Sequence, residues 1–402
     1  MSRGWRAALG RWGAAQWAVT IGSVPMLLFF FQQFSLVSPL ANALAIPLVS
    51  LLITPLALAF VVVPWTPLLA VDHWLLAQLM RVLEFIADWP LWQQPAPPWP
   101  AVLLGLAGVV WLLLPRGFPG RAAGLALLLP ALFWPAPRPQ PGAVWVDVLD
   151  VGQGLAVLVR TASHALLYDS GPAYSVDANA GQRVVVPYLR AVGVARIDTL
   201  VLSHRDQDHA GGYASVRAAL PVDRLLTSIV ALTGPPPLAG ERCRAGQHWQ
   251  WDGVHFAMLH PLADDYDVAG RRSNSMSCVL RVGGPAGDGA VLLTGDIEAS
   301  DEQALRTRSP QSLRTALLVA PHHGGRASST PAFVAAAQAR DVVFSAGYRN
   351  AFAHPHPLVV ERYAASRQWR TDRDGAVHAE WVAGAATVTA WRDERRRYWH
   401  GQ

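Results

Sequence analysis

The first third of the chain is written in apolar blocks of bilayer length. Residues 16–32, 39–63, 67–87, 101–114 and 122–134 each approach the roughly 20 helical residues that span a hydrocarbon core. The first two are the clearest spans. The third carries Asp72, Arg81 and Glu84, which suits either a helix facing a bundle interior or one lying in the interface. The last two are short enough to be tilted or re-entrant. Pro25, Pro47 and Pro55 break the apolar runs, and in lipid such breaks need neighbouring helices or a water-filled cavity to satisfy the freed carbonyls. They therefore fit a bundle around a conduit, or kinks that only help helices pack. Four prolines within residues 135–141 read as a stiff linker.

From Ala143 the pattern shortens to β-branched runs punctuated by Gly, Pro and Asp. Strands are predicted over 144–151, 156–160, 165–168, 199–203, 255–259, 277–282, 290–294, 317–320, 342–345, 377–381 and 386–391. Helices are predicted over 183–192, 212–220, 298–307, 331–340 and 357–365. This mixture indicates a layered α/β or α+β domain. The chain thus divides into transmembrane helices over 1–134, a linker over 135–142 and a folded domain over 143–402.

Charge sharpens the division. Between Gly13 and Pro115 only Asp72, Arg81, Glu84 and Asp88 are charged, whereas residues 141–402 hold 26 arginines against 25 acids. That near balance excludes a strongly basic nucleic-acid binder, and the 52% apolar content excludes disorder. All cationic side chains are arginine, which is read as compositional bias. Cys243 and Cys278 are the only cysteines, too few for a disulfide scaffold. The apolar runs repeat far beyond the first thirty residues, so they are retained segments and not a cleaved signal. Arg3, Arg6 and Arg11 before the first span, with Arg116 and Arg121 between the fourth and fifth, should be cytoplasmic. Five spans then put the folded domain on the outer side.

The chemistry concentrates after the strand at 199–203. Ser203-His204-Arg205-Asp206-Gln207-Asp208-His209 is followed by Ala210-Gly211-Gly212, with four ligand-competent side chains in six residues. Imidazole nitrogen and carboxylate oxygen together suit zinc, manganese or iron, and alternate residues of a turn can serve two neighbouring ions. Two ions about 3.5–4 Å apart can hold the attacking and leaving oxygens of a phosphodiester.

This H-x-D-x-D-H segment resembles the metal motif of the metallo-β-lactamase superfamily, usually H-x-H-x-D-H, in the variant with Asp at the second ligand position. With the blocks Leu149–Gly154, Leu167–Gly171, Leu293–Asp296, Pro321–Gly324 and His354–Pro357, the chain resembles ComEC-type competence proteins, which carry DNA across the bacterial inner membrane. The apolar third is similar to the end of that family's channel region, through residues 25–34, Ser38–Asn42 and Ile46–Leu48. Members normally begin with further spans and an OB-like domain, so the chain looks like a C-terminal fragment or a split version. The resemblance implies a polytopic α-helical membrane segment followed by an αββα sandwich of two mixed sheets.

It also implies a site. His204 and Asp206 would bind one ion, Asp208 and His209 the other, and Asp296 would bridge them. His323 would complete the second ion while His322 contacts phosphate or donates a proton, or the two exchange roles; Asp208 and His322 are the candidate catalytic residues. Where the superfamily usually supplies one more histidine, this chain has Asn274, and His260 is an alternative. The oxygen-rich first site implies two divalent ions, manganese favoured over zinc. Asp150 and Asp169 end strands beside the motif and either orient His204 and His209 or cap turns. His354 and His356 should lie near the mouth. Arg326, Arg349, Arg370 and Arg373 are candidate phosphate contacts, the arginines at 395–397 a candidate tail, and no aromatic stacking platform is evident.

The function implied is DNA uptake in natural transformation, one strand entering and the other hydrolysed. Partners would be single-stranded DNA, membrane lipid, other uptake components and further copies of the chain. The rival readings are a membrane-anchored hydrolase of an envelope phosphodiester or lactone, and a transporter whose metal domain only grips DNA.

Overall fold

The computed structural model describes residues 4–87, 89, 91–115, 117–232, 240–283, 289–382 and 384–394. Arg3, Arg116 and the 395–397 arginines lie outside these. Two compact units result: Met1–Ala136 with Arg190–Gly193, and Pro137–Leu189 with Val194–Gln402.

The first unit contains six helices among the described residues: α1 (Trp5–Phe31), α2 (Ser38–Leu48), α3 (Thr54–Val62), α4 (Thr66–Ala87), α5 (Trp99–Leu113) and α6 (Gly124–Leu132). Strands β1 (Gln33–Ser35) and β2 (Leu91–Gln93) pair antiparallel. A π-helical turn, Val49–Ile53, joins α2 to α3 directly before Pro55. A proline ring cannot donate to the carbonyl four residues back and collides with it. Widening the preceding turn, so that the Thr54 N–H reaches Val49 O, accommodates the ring without ending the helix.

Helices α5 and α6 touch through glycine. A Cβ on Gly108 would lie 2.6 Å from the Gly124 carbonyl oxygen, and a Cβ on Gly124 equally close to that of Gly108. Small residues of this kind let two backbones approach in an apolar solvent, where water expulsion does not drive association.

Among the described residues, two helical stretches are long and apolar enough to cross a membrane, Gly10–Phe31 and Ser38–Val62, with mean hydropathies of 1.6 and 2.5. The other three expected spans fall short. α4 has the length, but its charged residues dilute it, and α5 has only 15 residues.

In the second unit two mixed sheets pack face to face. The first, in spatial order, is β10 (Glu241–Arg242), β9 (Leu225–Thr227), β8 (Thr199–Leu202), β5 (Ala165–Tyr168), β4 (Val157–Arg160), β3 (Val144–Val148), β18 (Val377–Val382) and β19 (Ala385–Ala390). The second is β11 (His248–Trp251), β12 (Val254–His260), β13 (Val279–Gly283), β14 (Gly289–Leu293), β15 (Leu317–Val319), β16 (Asp341–Phe344) and β17 (Arg367–Arg370). A small hairpin, β6 (Ala173–Ser175) with β7 (Ala178–Asn179), stands apart. In each sheet one side runs antiparallel and the other parallel: β5, β8, β9 and β10 in the first, β14 to β17 in the second.

Alternate residues of the two sheets fill the core, including Val146, Leu166 and Val201 from the first and Phe256, Leu280 and Val319 from the second. On the outer face of the second sheet, helices Ala299–Arg308, Pro331–Ala337 and Pro357–Arg362 bury Leu305, Phe333 and Val359 against Leu292, Leu318 and Val342. All eleven predicted strands and five predicted helices lie where the pattern puts them, within a few residues. The strands it misses in this unit, β6, β7, β9, β10, β11 and β17, are short or are polar edge strands such as Arg-Gln-Trp-Arg, and it misses the short β1 and β2 of the first unit as well. Cys243 and Cys278 are bonded to each other, joining the loop after β10 to the start of β13.

Candidate metal centre

The parallel strands aim their C-terminal ends at one place, where open α/β sheets commonly bind ligands. Asp169 follows β5, Ser203 and His204 follow β8, Asp296 follows β14, His322 and His323 follow β15, and Ser345 follows β16.

Close approach of backbones shapes these loops. A Cβ on Gly212 would collide with the Ser170 carbonyl, and one on Gly154 with the Asp208 carbonyl. The latter contact explains the Gly-Gln-Gly turn, since the next residue, Leu155, donates its N–H to Asp208 O at 3.0 Å and fixes the metal motif's backbone.

Hydrogen bonds then set the imidazole tautomers. The Asp169 carboxylate accepts from Ser203 N at 2.7 Å, Ser203 Oγ at 2.8 Å and His209 Nδ1 at 2.7 Å. Because the Ser203 hydroxyl gives its proton to Asp169, its oxygen is left to accept from His204 Nδ1, 2.9 Å away. The Ser345 carbonyl accepts from His323 Nδ1 at 2.8 Å. In all three histidines the outer proton sits on Nδ1, so Nε2 is the inward-facing atom.

Those Nε2 atoms surround Asp296. Its Oδ1 lies 3.1 Å from His209, and its Oδ2 lies 3.6 Å from His323 and 4.0 Å from His204. Asp208 Oδ2 is 3.3 Å from His323 Nε2, and Asp206 Oδ2 is 3.7 Å from His204 Nε2. One donor atom from each of Asp208, His209, Asp296 and His323 falls within 4.8 Å of the other three. His204 lies beside this group, between Asp296 and Asp206, and its Nε2 is buried with no hydrogen-bond partner. The Asp296 N–H is held by Ser277 Oγ at 3.0 Å.

Charge is crowded here. Burial would strip the proton from His209, but Asp296 and Asp169 hold it, raising the pKa well above the ordinary value. His323 is raised likewise, burial being outweighed chiefly by Asp296 and Asp208. His204, buried beside the His209 charge, drops to about 4. Burial pushes Asp208 up, yet the bond from His323 and the His209 and His323 charges take it down to about 2. An orphaned nitrogen beside carboxylates and nitrogens at ligand spacing is what a divalent cation satisfies, and the residues present fit one. Binding would displace the shared protons.

Residues 1–119 match the Competence protein family, and residues 149–347 match the metallo-β-lactamase superfamily. The chain is 39% identical over 366 residues to competence protein ComA of Neisseria gonorrhoeae, covering 90% of this chain and 50% of that one. It is homologous to the ComA/ComEC-type competence proteins. Identity to ComE operon protein 3 of Bacillus subtilis is 26% over 434 residues, 96% of this chain and 54% of that one. The chain spans about half the length of these relatives. Among solved structures, the metallo-β-lactamase fold protein YhfI of B. subtilis aligns over 61% of this chain and 99% of that one, at 14% identity and a TM-score of 0.40.

Several residues singled out in the sequence stand elsewhere. Asp150 pairs with Arg392 at 3.1 Å and accepts from Gly152 N at 3.4 Å, so it bonds neither metal-site histidine. His260 is buried with Nε2 on Ser275 O at 2.9 Å, and Asn274 turns its amide to Glu298 at 3.5 Å. Neither joins the donor group. Arg373 is held by Asp374 at 2.7 and 2.8 Å, and Arg370 by Asp372 at 3.0 and 2.7 Å, which leaves both poorly placed to take phosphate. Arg326 and Arg349 are exposed. His354 lies at the rim, its ring 5.6 Å from that of His322, whose Nε2 is 3.9 Å from Asp296 Oδ2. Burial and the charges of His323 and His322 lower His354 to about 4. The supporting residues Ser203, Ser277 and Ser345 escaped the sequence reading. Only Ser203, adjacent to the motif, carried any signal.

Proposed function

We propose that this chain serves DNA uptake, passing one strand across the bacterial inner membrane and hydrolysing phosphodiesters of the other. The observation that carries the reading is the donor set gathered around Asp296 in a chain whose N-terminal part matches the Competence protein family. Asp208, His209, Asp296 and His323 would hold one divalent ion, and His204, Asp206 and Asp296 a second. Bound there, such ions supply Lewis acidity toward a phosphoryl oxygen and make a water acidic enough to attack phosphorus at neutral pH.

The protein's own groups do the rest. Asp169, Ser203 and the Ser345 carbonyl fix the imidazoles, Asp296 would offer its charge to both ions, and Asp208 completes the four-donor set. His322, about a quarter exposed at the rim, is positioned to protonate the leaving oxygen. With two carboxylates and one imidazole, the His204 side favours manganese over zinc. Helices α1 to α6 form a multi-pass segment lining the path of the strand, in contact with lipid, other uptake components and further copies of the chain. The Cys243–Cys278 bond supports an oxidising, periplasmic location for the metal domain.

The test uses the full chain in detergent, stripped of metal and supplied with end-labelled single-stranded DNA. Cleavage restored by manganese and lost in Asp208→Ala is expected. Turnover of an envelope phosphodiester or lactone with DNA untouched would replace the reading, as would activity that zinc restores and manganese never does for the metal assignment.

A further inference from the structure

The rim of the metal centre carries an aromatic surface that the metal chemistry leaves unused. Tyr348 and Phe352 follow β16 and are 71% and 66% exposed, more than any other aromatic side chain described in the second unit. Their loop is nonetheless firmly pinned. Gly347 N donates to Gln153 Oε1 at 3.1 Å, and the Asn350 amide donates to His354 O at 2.6 Å and Gly347 O at 2.9 Å. His354 N returns a bond to Asn350 Oδ1 at 3.0 Å. Rings held in water by an ordered loop have no folding rationale, and exposed apolar surface of that kind marks an interaction site.

Phe352 connects with the donor cluster. Phe352 stacks on His354 with ring centroids 5.8 Å apart, and the His354 ring lies 5.6 Å from His322 and 6.3 Å from His323. The Arg349 guanidinium lies over the Tyr348 ring at 5.2 Å, and no carboxylate among the described residues pairs with it. Aromatic faces, a cation without a carboxylate partner and the adjoining donor cluster together describe one class of occupant.

We propose that Tyr348 and Phe352 form a base-stacking platform that presents single-stranded DNA to the centre, with Arg349 on a backbone phosphate. The proposal rests on the DNA reading given above. Unpaired bases expose the faces that a duplex keeps stacked, and any base can occupy such a platform, so recognition is of strandedness and not of sequence.

The experiment is fluorescence anisotropy with the full chain in EDTA, using a labelled oligothymidylate and an abasic strand of equal length and charge. Wild type should prefer the oligothymidylate. Tyr348→Ala and Phe352→Ala should each weaken that binding roughly tenfold and leave abasic binding unchanged. Phe352→Leu, which keeps an apolar side chain but no ring, should behave like the alanine variant, and Phe352→Tyr like wild type. The platform is overturned if wild type binds both strands equally, if the variants bind oligothymidylate as wild type does, or if they lose both strands alike. DNA cleavage by wild type in any of those cases leaves the broader reading standing. A wild type that neither binds nor cleaves single-stranded DNA overturns both.

Discussion

Two buried polar clusters sit in the same sandwich and are solved differently. Beside β3, Asp147 meets Arg160 at 3.3 Å and His378 at 2.5 Å, so its charge is answered within the protein. At the strand ends, the carboxylates of Asp169, Asp208 and Asp296 crowd against three imidazoles, two of them with pKa values raised by those carboxylates and the third left with an orphaned nitrogen. The first cluster is finished by folding. The second keeps a buried donor nitrogen without a partner, and on the function proposed above divalent cations would take the place of its protons.

The comparison breaks most visibly at Asp296. Asp296→Ala should reduce hydrolysis on the order of a thousandfold, since the shared carboxylate serves both sides of the site. Melting without metal should fall with the domain still folded, because Asp296 is the counter-charge of His209 and His323 and they hold its carboxyl well below the ordinary range. If the same variant unfolds the domain, the site is structural and the contrast fails. Asp147→Ala is the mirror experiment: it strands buried Arg160 and should cost about 3–5 kcal/mol in denaturant unfolding, with metal-dependent turnover kept at low temperature.

A smaller effect is expected from Asp169→Asn, which keeps the shape but loses the charge that orients His209. Metal affinity measured by competition with a chelating dye should fall about 10- to 100-fold. The smallest effect is the pH response of the finished cluster. Burial raises Asp147, but the His378 bond and the Arg160 and His378 charges hold it below its ordinary 3.8. Burial lowers His378, yet Asp147 and Glu380 hold it above its ordinary 6.5. The pair therefore contributes fully between about pH 4 and 6.5; it weakens as pH falls below 3.8 toward the folded pKa of Asp147, and as pH rises above 6.5 through that of His378. Melting temperatures of wild type and His378→Gln should converge as pH rises from 6 to 9. Parallel curves would show that His378 stabilises by packing alone.

The donor set was readable because each part sits at an unmistakable place. Four ligands share one six-residue turn, and Asp296 and His323 each follow an apolar strand. What the same reading could not separate were side chains of identical type with different partners. Asp150 and Asp169 both end strands, yet only Asp169, in a left-handed conformation at φ 59°, turns its carboxylate to His209. Arg349 and Arg373 both lie in polar loops, yet Arg373 is already taken by Asp374 one residue away. The stacking rings were invisible for a related reason: Tyr348 and Phe352 are ordinary core residues by composition, and only the pinned loop keeps them in water.

The sequence alone determined the division into an apolar third and a folded domain, the main strands, and the residues that gather at the metal centre. Those follow from period, length and local motif, which are properties of neighbours along the chain. Tertiary structure decided which histidine nitrogen faces inward, that Asp169 holds His209 and Ser277 holds Asp296, that Cys243 meets Cys278, and which arginines remain open to phosphate. Each of these is a contact between residues far apart in sequence, fixed by where strand ends converge, and no local pattern encodes it.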